Sequence, residues 1–575
     1  MRLKKKNFAA SRFNGLLPSS IAAGAISSFL TLCNSIVAGQ VLGESALAAV
    51  NLMEPIPSVV IFVAYIIGIS TAIMVSKAKG EGDIKKADGY FSQGLLAAIA
   101  MGVLLTLLIT FGRDWVVEIL GATGENAINT SALLEPIGPF VLFILLYSFM
   151  LNLIISEEDS LLSGLSTAVL VGVKLVLAVV LTQKIGLPGL GWSTSISITA
   201  ALGVCCLHFL SKHNQLHIRW HFNLKELLRS FRFSINDAIY FGYTAVALVV
   251  INRFILWQFD GTVLAIFAVI NAVFALVYRA SDGIGSAMQP IICLYDGEKN
   301  VKGIKAAMQA ASGACLWSSG AIIVFLLVFA DKIPGMFGLN DPVTMHRTAE
   351  AVRIVSFSAL FSGLNLMLNS YYTYVDRIFV SVLNTTLRSF AFLILFIMLF
   401  GTVYGFEGIF AGMVLAEALA LVAVWLASRY LVKKSNSTLQ GILLTDRTMD
   451  DRILDISFSA EQENVMEFSV RVMEELKRRG YSGKIAHNAS LTIEEMGMRI
   501  IRKKQRANVL MEVTVFMQDA VTVIIRDNDK AQYLADPDAK IHSLEDYLSA
   551  LVFANLQESK YIKTCGYNRT IFKIA

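Results

Sequence analysis

The 575-residue chain carries 49 basic and 44 acidic residues, a net charge of +5 that is small for its length, while 55% of its residues are hydrophobic and only 16% charged. These proportions lie outside the range of ordinary soluble domains. The basic residues lie in separate loops rather than on one surface, so no nucleic-acid partner is expected.

A bilayer crossing needs about 20 apolar residues. Twelve segments meet that need, at about 15–38, 45–77, 90–112, 131–155, 162–182, 188–211, 232–257, 261–295, 303–330, 348–374, 378–400 and 405–432. The first leads straight into the body of the chain, without the cleavage pattern of a signal peptide, and is read as a retained helix. Basic residues concentrate in alternate loops, at Lys4–Lys6, Lys77–Lys86, Lys212–Arg232, Lys299–Lys305 and Lys433–Lys434. By the positive-inside rule both termini are then cytoplasmic, which requires an even number of crossings. Beyond Lys434 the composition changes. Residues 435–449 read as a linker, and residues 450–575 mix charge with short apolar runs as a soluble α/β domain does.

The second half of the apolar region repeats the first. Gly68 to Glu81 reads against Gly285 to Glu298, and Phe149–Asn152 against Leu366–Asn369, both at an offset of 217; Gly186–Leu190 reads against Gly405–Ile409 at 219. Three landmarks in one order predict a duplicated bundle, 12–215 and 216–434, with a substrate path between the halves, as in secondary transporters. The expected fold is an α-helical membrane protein of twelve transmembrane helices in two six-helix repeats, followed by a cytoplasmic α/β domain.

Ionisable residues inside such helices are costly and mark pathways or relays. Seven are read this way: Glu54, Lys174, Asp237, Arg279, Asp282, Arg388 and Glu417. Glu417 lies near the middle of the last span. Arg279 and Asp282 share a helix face, and can neutralise one another or serve function. Lys174 and Arg388 each need a partner, and a bridge from Lys174 to a carboxylate would make a gate. Glu54 has Asn271 as its repeat counterpart, so both are expected on the cleft, with Asn34, Asn152 and Asn369 as further polar lining. Six cysteines show no metal-ligand spacing and read as packing residues. His213, His217 and His221 recur every four residues and could share a helix face toward a metal, but residues 218–223 look more like an amphipathic interfacial segment, and no metal is expected.

The Leu42–Asn51 segment, the Lys79–Ala87 and Asp296–Lys302 loops and the paired Gly-x-x-Gly turns, in the same order in both halves, resemble the multidrug and toxic compound extrusion (MATE) family over about residues 12–432. The resemblance implies two six-helix bundles around a central cleft, in the cytoplasmic membrane of a bacterium. It implies export of small organic, often cationic compounds in exchange for H+ or Na+, with no other cofactor, and with substrate and membrane lipid as partners. A DinF-like branch of that family often carries an acidic residue in the Ala416–Glu417 setting. The chain departs from the family where a first-span Asp is usual: Asn34 stands there, and an amide cannot exchange a proton near neutral pH. Ala178 likewise replaces a fifth-span Asp. Ion coupling is therefore expected in the second half.

Residues 450–575 resemble the GHKL-type ATPase domain of anti-sigma-factor kinases, with strands at 452–458, 509–516 and 520–526, helices at 463–479 and 491–501, and a closing hairpin. The nucleotide chemistry is degenerate. Four residues after Glu495 the family's magnesium-ligating Asn is Arg499, a cation that repels the metal, and the Asp-x-Gly motif has become Asp527-Asn-Asp529. The domain is expected to be a non-catalytic regulator, docking a cytoplasmic protein, and the chain a transporter rather than an enzyme. Two other readings stand beside antiport: a membrane sensor built on a transporter fold, and a lipid-linked oligosaccharide flippase.

Overall fold

The computed structural model describes residues 7–80, 84–156, 160–210, 217–219, 223–231, 234–435, 438–506, 508–518, 520–529, 552, 556–564 and 567–574. Among the described residues the membrane-type region consists of helices and short connections: α1 (Phe8–Leu42), α2 (Glu44–Met53), α3 (Pro55–Gly80), α4 (Ile84–Phe111), α5 (Arg113–Ile119), α6 (Gly124–Leu134), α7 (Val141–Ser156), α8 (Ser160–Ile185), α9 (Leu187–Cys206), α10 (Leu224–Ser230), α11 (Ile235–Gln258), α12 (Gly261–Gly297), α13 (Val301–Phe329), α14 (Ile333–Met336), α15 (Pro342–Ser356), α16 (Ser358–Tyr374), α17 (Ile378–Thr386) and α18 (Phe392–Lys434). A π-helical turn, Leu387–Ala391, joins α17 to α18.

Among the described residues eight helical segments are long and apolar enough to cross a membrane, or nine if the pair α15–α16, bent by 42°, counts as one. One of the eight, Ile378–Lys434, contains a break at Gly405, whose φ of 67° and ψ of −142° are open only to glycine. Gly186, its repeat counterpart, has φ 72° and ψ −147°.

The chain packs into two compact units, and these cut across the boundaries expected at residues 215 and 434. One comprises Ile21–Gly283 and Cys315–Val424. Its apolar core draws on helices of both repeats, from Cys33 and Leu47 through Phe149 and Phe267 to Phe410. Polar ties cross the repeats as well. The Arg253 guanidinium donates to the Glu118 and Ile119 carbonyls at 2.6 and 3.0 Å, satisfying oxygens that the C-terminal end of α5 leaves open. Ser234 at the head of α11 donates to the Ile66 carbonyl of α3 at 3.0 Å.

The other unit gathers Met1–Ser20, Ile284–Ala314 and Trp425–Ala575. Its C-terminal part holds a short hairpin of β1 (Leu439–Gln440) and β2 (Thr445–Asp446), then α19 (Arg447–Asp450), β3 (Ile453–Ser459), α20 (Gln462–Arg478), α21 (Gly483–Lys503), β4 (Leu510–Met517), β5 (Val521–Asp527), β6 (Glu558–Thr564) and β7 (Tyr567–Ile574). The five-stranded sheet is antiparallel, in the order β3-β4-β5-β7-β6. The strands fall within a residue or two of their expected places, whereas the second helix begins eight residues earlier than expected, where Ser482 caps it by accepting from Ile485 N. Side chains alternate across a strand. Phe458, Met511, Val513, Val515, Val523, Ile525 and Phe572 turn to one face and form a core with α20 and α21. Every residue of β4 is nonetheless buried, because the opposite face, carrying Glu512 and Thr514, is covered too.

Candidate functional site

A cavity of about 560 Å³ lies within the larger helical unit, lined from both repeats by α1, α2, α3, α7, α11, α12, α16, α17, α18 and the π-helical turn. Four of the expected ionisable residues line it: Glu54, Asp282, Arg388 and Glu417. So do three of the expected amides, Asn152, Asn271 and Asn369. Aromatic side chains form much of the remainder. Tyr240 stacks on Tyr278 with centroids 5.9 Å apart, Phe274 meets Tyr278 at 5.5 Å, and Phe241 packs edge-on against Tyr65 at 5.0 Å.

The second repeat supplies the most buried charges. Arg388 and Glu417 form an ion pair at 3.4 Å, with side chains 1% and 4% exposed. Arg388 lies in the π-helical turn, a feature frequent at functional sites, and its guanidinium sits 4.4 Å from the centroid of the Tyr278 ring. Asn365 holds the acid from the other side, donating at 2.8 Å both to Glu417 Oε2 and to the Glu417 carbonyl. Asn384 donates in turn to the Asn365 carbonyl at 3.0 Å. The Asn365 and Asn384 side-chain oxygens, and Arg388 Nε and Nη2, are buried without a hydrogen bond. This is a half-satisfied polar cluster in a low-dielectric wall, where each open donor or acceptor is costly. Nearby, Asn369 Oδ1 accepts from Ser381 at 2.8 Å and Thr385 at 3.2 Å.

A second cluster joins the repeats. Asn271 donates to Asn51 Oδ1 at 2.9 Å, Asn51 donates to Asn252 Oδ1 at 3.0 Å, and Asn51 and Asn271 both line the cavity. Asn51, Asn252, Asn365, Asn384 and the tyrosines escaped the sequence reading. Each is a polar or aromatic residue in an apolar run, and the spacing of Asn365 four residues before Asn369 was the signal on offer.

Lys174 and Asn34 are not among the residues that line the cavity. Lys174 is buried and donates to Thr194 Oγ1 at 2.7 Å, from α8 to α9; among the described residues no carboxylate lies within ion-pair distance of its ammonium, but Glu54 acts on it electrostatically from further away. Asn34 is half-buried in α1, with its side-chain oxygen lacking a hydrogen bond. Asp237 and Arg279 lie on α11 and α12, but their side chains fall outside the described residues, as do His213 and His221. No group of three or more His, Cys, Asp or Glu able to hold a metal occurs among the described residues.

Of the four positions expected at a degenerate nucleotide site, Glu495, Asp527 and Asp529 are engaged internally. Asp527 accepts from Asn568 Nδ2 at 2.8 Å and from Asp529 N at 3.0 Å. The Asp529 carboxylate accepts from the Gln505 and Arg506 amides at 2.9 and 3.1 Å. Glu495 lies 3.8 Å from Arg502, and Arg499 is half-buried on the same helix.

Among curated proteins the chain is similar to the multidrug export protein MepA of Staphylococcus saprophyticus, 27% identical over 176 residues, a stretch covering 30% of this chain and 39% of that relative. The match thus spans well under half of the relative's length. Among solved structures it is similar to the inward-facing conformation of a multidrug resistance MATE family transporter of the MOP superfamily, with TM-score 0.65 at 18% identity over 72% of this chain and 96% of that one. It is also similar to a MOP superfamily transporter from Pyrococcus furiosus described as having a binding pocket of reversed polarity, with TM-score 0.61 at 18% identity over 74% and 96%. Those likenesses concern the fold. The MatE family model matches residues 19–180 and 238–397, more than half of the chain and both repeats. The chain belongs to the MatE family of membrane transporters.

Proposed function

We propose that the protein is an ion-coupled antiporter that exports small organic cations or amphipathic compounds by alternating access. The carrying observation is the buried Arg388–Glu417 pair in the wall of the aromatic cavity. A carboxylate at that depth demands a positive partner. Arg388 is that partner here, and an entering proton or sodium ion competes with it for Glu417. The amide oxygens of Asn365 and Asn384, which accept no hydrogen bond here, offer additional ligands to a cation at that point. Glu54 and Asp282 supply negative charge toward a cationic substrate, and the faces of Tyr240 and Tyr278 supply cation–π attraction.

The reading includes twelve crossings. At about 1.5 Å per residue, a 43-residue α18 would run to about 65 Å, twice the hydrocarbon thickness, so the Gly405 break fits two passes. The α15–α16 pair fits one bent pass, and α1 and α12, which carry shorter apolar stretches, complete the set. The loop charges favour cytoplasmic termini in a bacterial inner membrane. For the C-terminal domain the reading is a GHKL-like regulator without catalysis, supported by the internal engagement of Asp527 and Asp529.

Efflux of a fluorescent cation from vesicles under an imposed pH or sodium gradient tests the coupling. Glu417→Gln and Asp282→Asn are each expected to abolish or strongly reduce the gradient dependence. Unchanged dependence in both would sink the assignment.

A further inference from the structure

The covered face of the C-terminal sheet meets the turn between α12 and α13, which lies in the same compact unit. The contact is built from buried charge. Arg526, on β5, is fully buried; it donates to Glu512 Oε2 at 2.8 Å, to Thr514 Oγ1 at 3.0 Å and to Glu298 of the turn. Arg569, on β7, reaches the other oxygen of Glu298 at 2.6 Å. From the end of α12 the Tyr295 hydroxyl donates to Glu512 Oε2 at 2.7 Å, beneath the Arg526 guanidinium. Asn300 donates to Asp455 and Thr514, both at 3.4 Å, and Lys302 Nζ donates to the Ile453 carbonyl at 2.6 Å. Three carboxylates, Glu298, Asp455 and Glu512, are thus set against three cations, Arg526, Arg569 and Lys302. Buried charges are tolerated only where partners match, so such a contact is specific in register more than it is strongly stabilising.

The same sheet also holds the first helix. Phe8 of α1, Leu510 of β4 and Leu294 of α12 form one apolar cluster, in which Phe8 is 2% exposed. Arg12, one turn further along α1, acts electrostatically on Asp527 of β5. Helix α1 opens the first repeat, whereas α12 and α13 belong to the second. One domain therefore grips a helix end from each half of a duplicated fold.

We propose that the C-terminal domain is an intramolecular clamp, which joins the start of α1 to the α12–α13 turn and slows the relative movement of the two repeats. The effect on transport rests on the antiporter reading; the effect on helix movement does not.

The test uses the full-length protein in lipid nanodiscs, with native cysteines replaced and spin labels at the exposed Asn14 and Gln309. Glu298→Arg is expected to raise amide exchange in β4 and β5 and to broaden the distance distribution between the labels. Combining it with Arg569→Glu is expected to restore both, and Tyr295→Phe to move both in the same direction by less. In vesicles, Glu298→Arg is expected to speed cation efflux several-fold. The clamp is overturned if exchange rises while the label distances stay as in the parent, or if a protein with released labels exports no faster than a parent that does export. Should the parent export nothing, the antiporter reading falls, and the distances still decide the clamp.

Discussion

At the level of single residues, the pair Arg388–Glu417 decides most about the cavity. Both side chains are almost fully excluded from solvent, and Tyr278 and Asn365 complete their surroundings. Removing one partner of such a pair leaves an uncompensated buried charge, at a cost of about 3–5 kcal/mol, whereas replacing both with apolar residues of similar volume is often neutral. Arg388→Met is therefore expected to lower the thermal unfolding midpoint of the purified protein sharply, and Arg388→Met combined with Glu417→Met to recover most of the loss. A double variant as unstable as the single one would mean that Arg388 acts mainly through packing on Tyr278. Glu417, Arg388, Asp282 and Glu54 were legible in the sequence because a charge inside an apolar run stands out. Their partners were not. Asn51 meets Asn252 and Asn271 across about 200 residues of chain, and no local pattern encodes that meeting. Lys174 shows the converse: the need for a partner was legible, and its direct contact is the Thr194 hydroxyl, with the acid, Glu54, acting on it only at longer range.

At the level of elements, the glycine turns carry the duplication. Gly186 and Gly405 take nearly the same backbone conformation, with positive φ and strongly negative ψ. Three residues on, Gly189 and Gly408 pass so close to the preceding helix that a Cβ would meet the backbone at Leu181 and at Phe400, which are themselves repeat counterparts. The turn reverses the chain and lets two apolar helices pack at once, which is why these glycines recur as a pair. A residue other than glycine in that conformation costs on the order of 1–3 kcal/mol. Gly405→Ala is expected to destabilise through backbone strain alone, since nothing lies within 4 Å of its Cβ position, and Gly408→Ala through collision with the backbone. Thermal midpoints of both variants below the parent's are the expected result, and an unchanged Gly405→Ala would show that the strain is relieved elsewhere. The repeat was readable because glycine spacing survives where side chains drift. The π-helical turn at Leu387–Ala391 was not, because an inserted residue in a helix leaves no compositional mark.

On the scale of the whole molecule, the duplicated fold carries charges that are not duplicated, and its C-terminal sheet is charged on a face that a free domain would expose to water. Glu512 and Thr514 alternate with apolar residues along β4, so the strand reads as half solvated; the α12–α13 turn and the start of α1, both distant in sequence, explain why so much of its second face is buried. Burial also gives this domain a pH dependence. It pushes the Asp527 carboxyl from 3.8 up to about 7, against hydrogen bonds from Asn568 and the Asp529 amide, with the Asp529 charge adding to the rise and Arg12 opposing it. Tyr561, on β6, donates to Asn568 and feels the same charge. A carboxyl with a raised pKa in the folded state binds its proton more tightly folded than unfolded. Its contribution to stability is therefore complete below the unfolded value near 4, and is lost as pH rises through about 7. Three pH units correspond to about 4 kcal/mol at most. Amide exchange of β5 in the full-length protein, corrected for intrinsic rates, is thus expected to show protection falling between about pH 4 and about pH 7. In Asp527→Asn the side-chain oxygen still accepts from Asn568 while the titrating proton is gone, so the slope should flatten. A slope that survives that substitution would move the titration to Glu298, Asp455 or Glu512, which burial raises in the same direction.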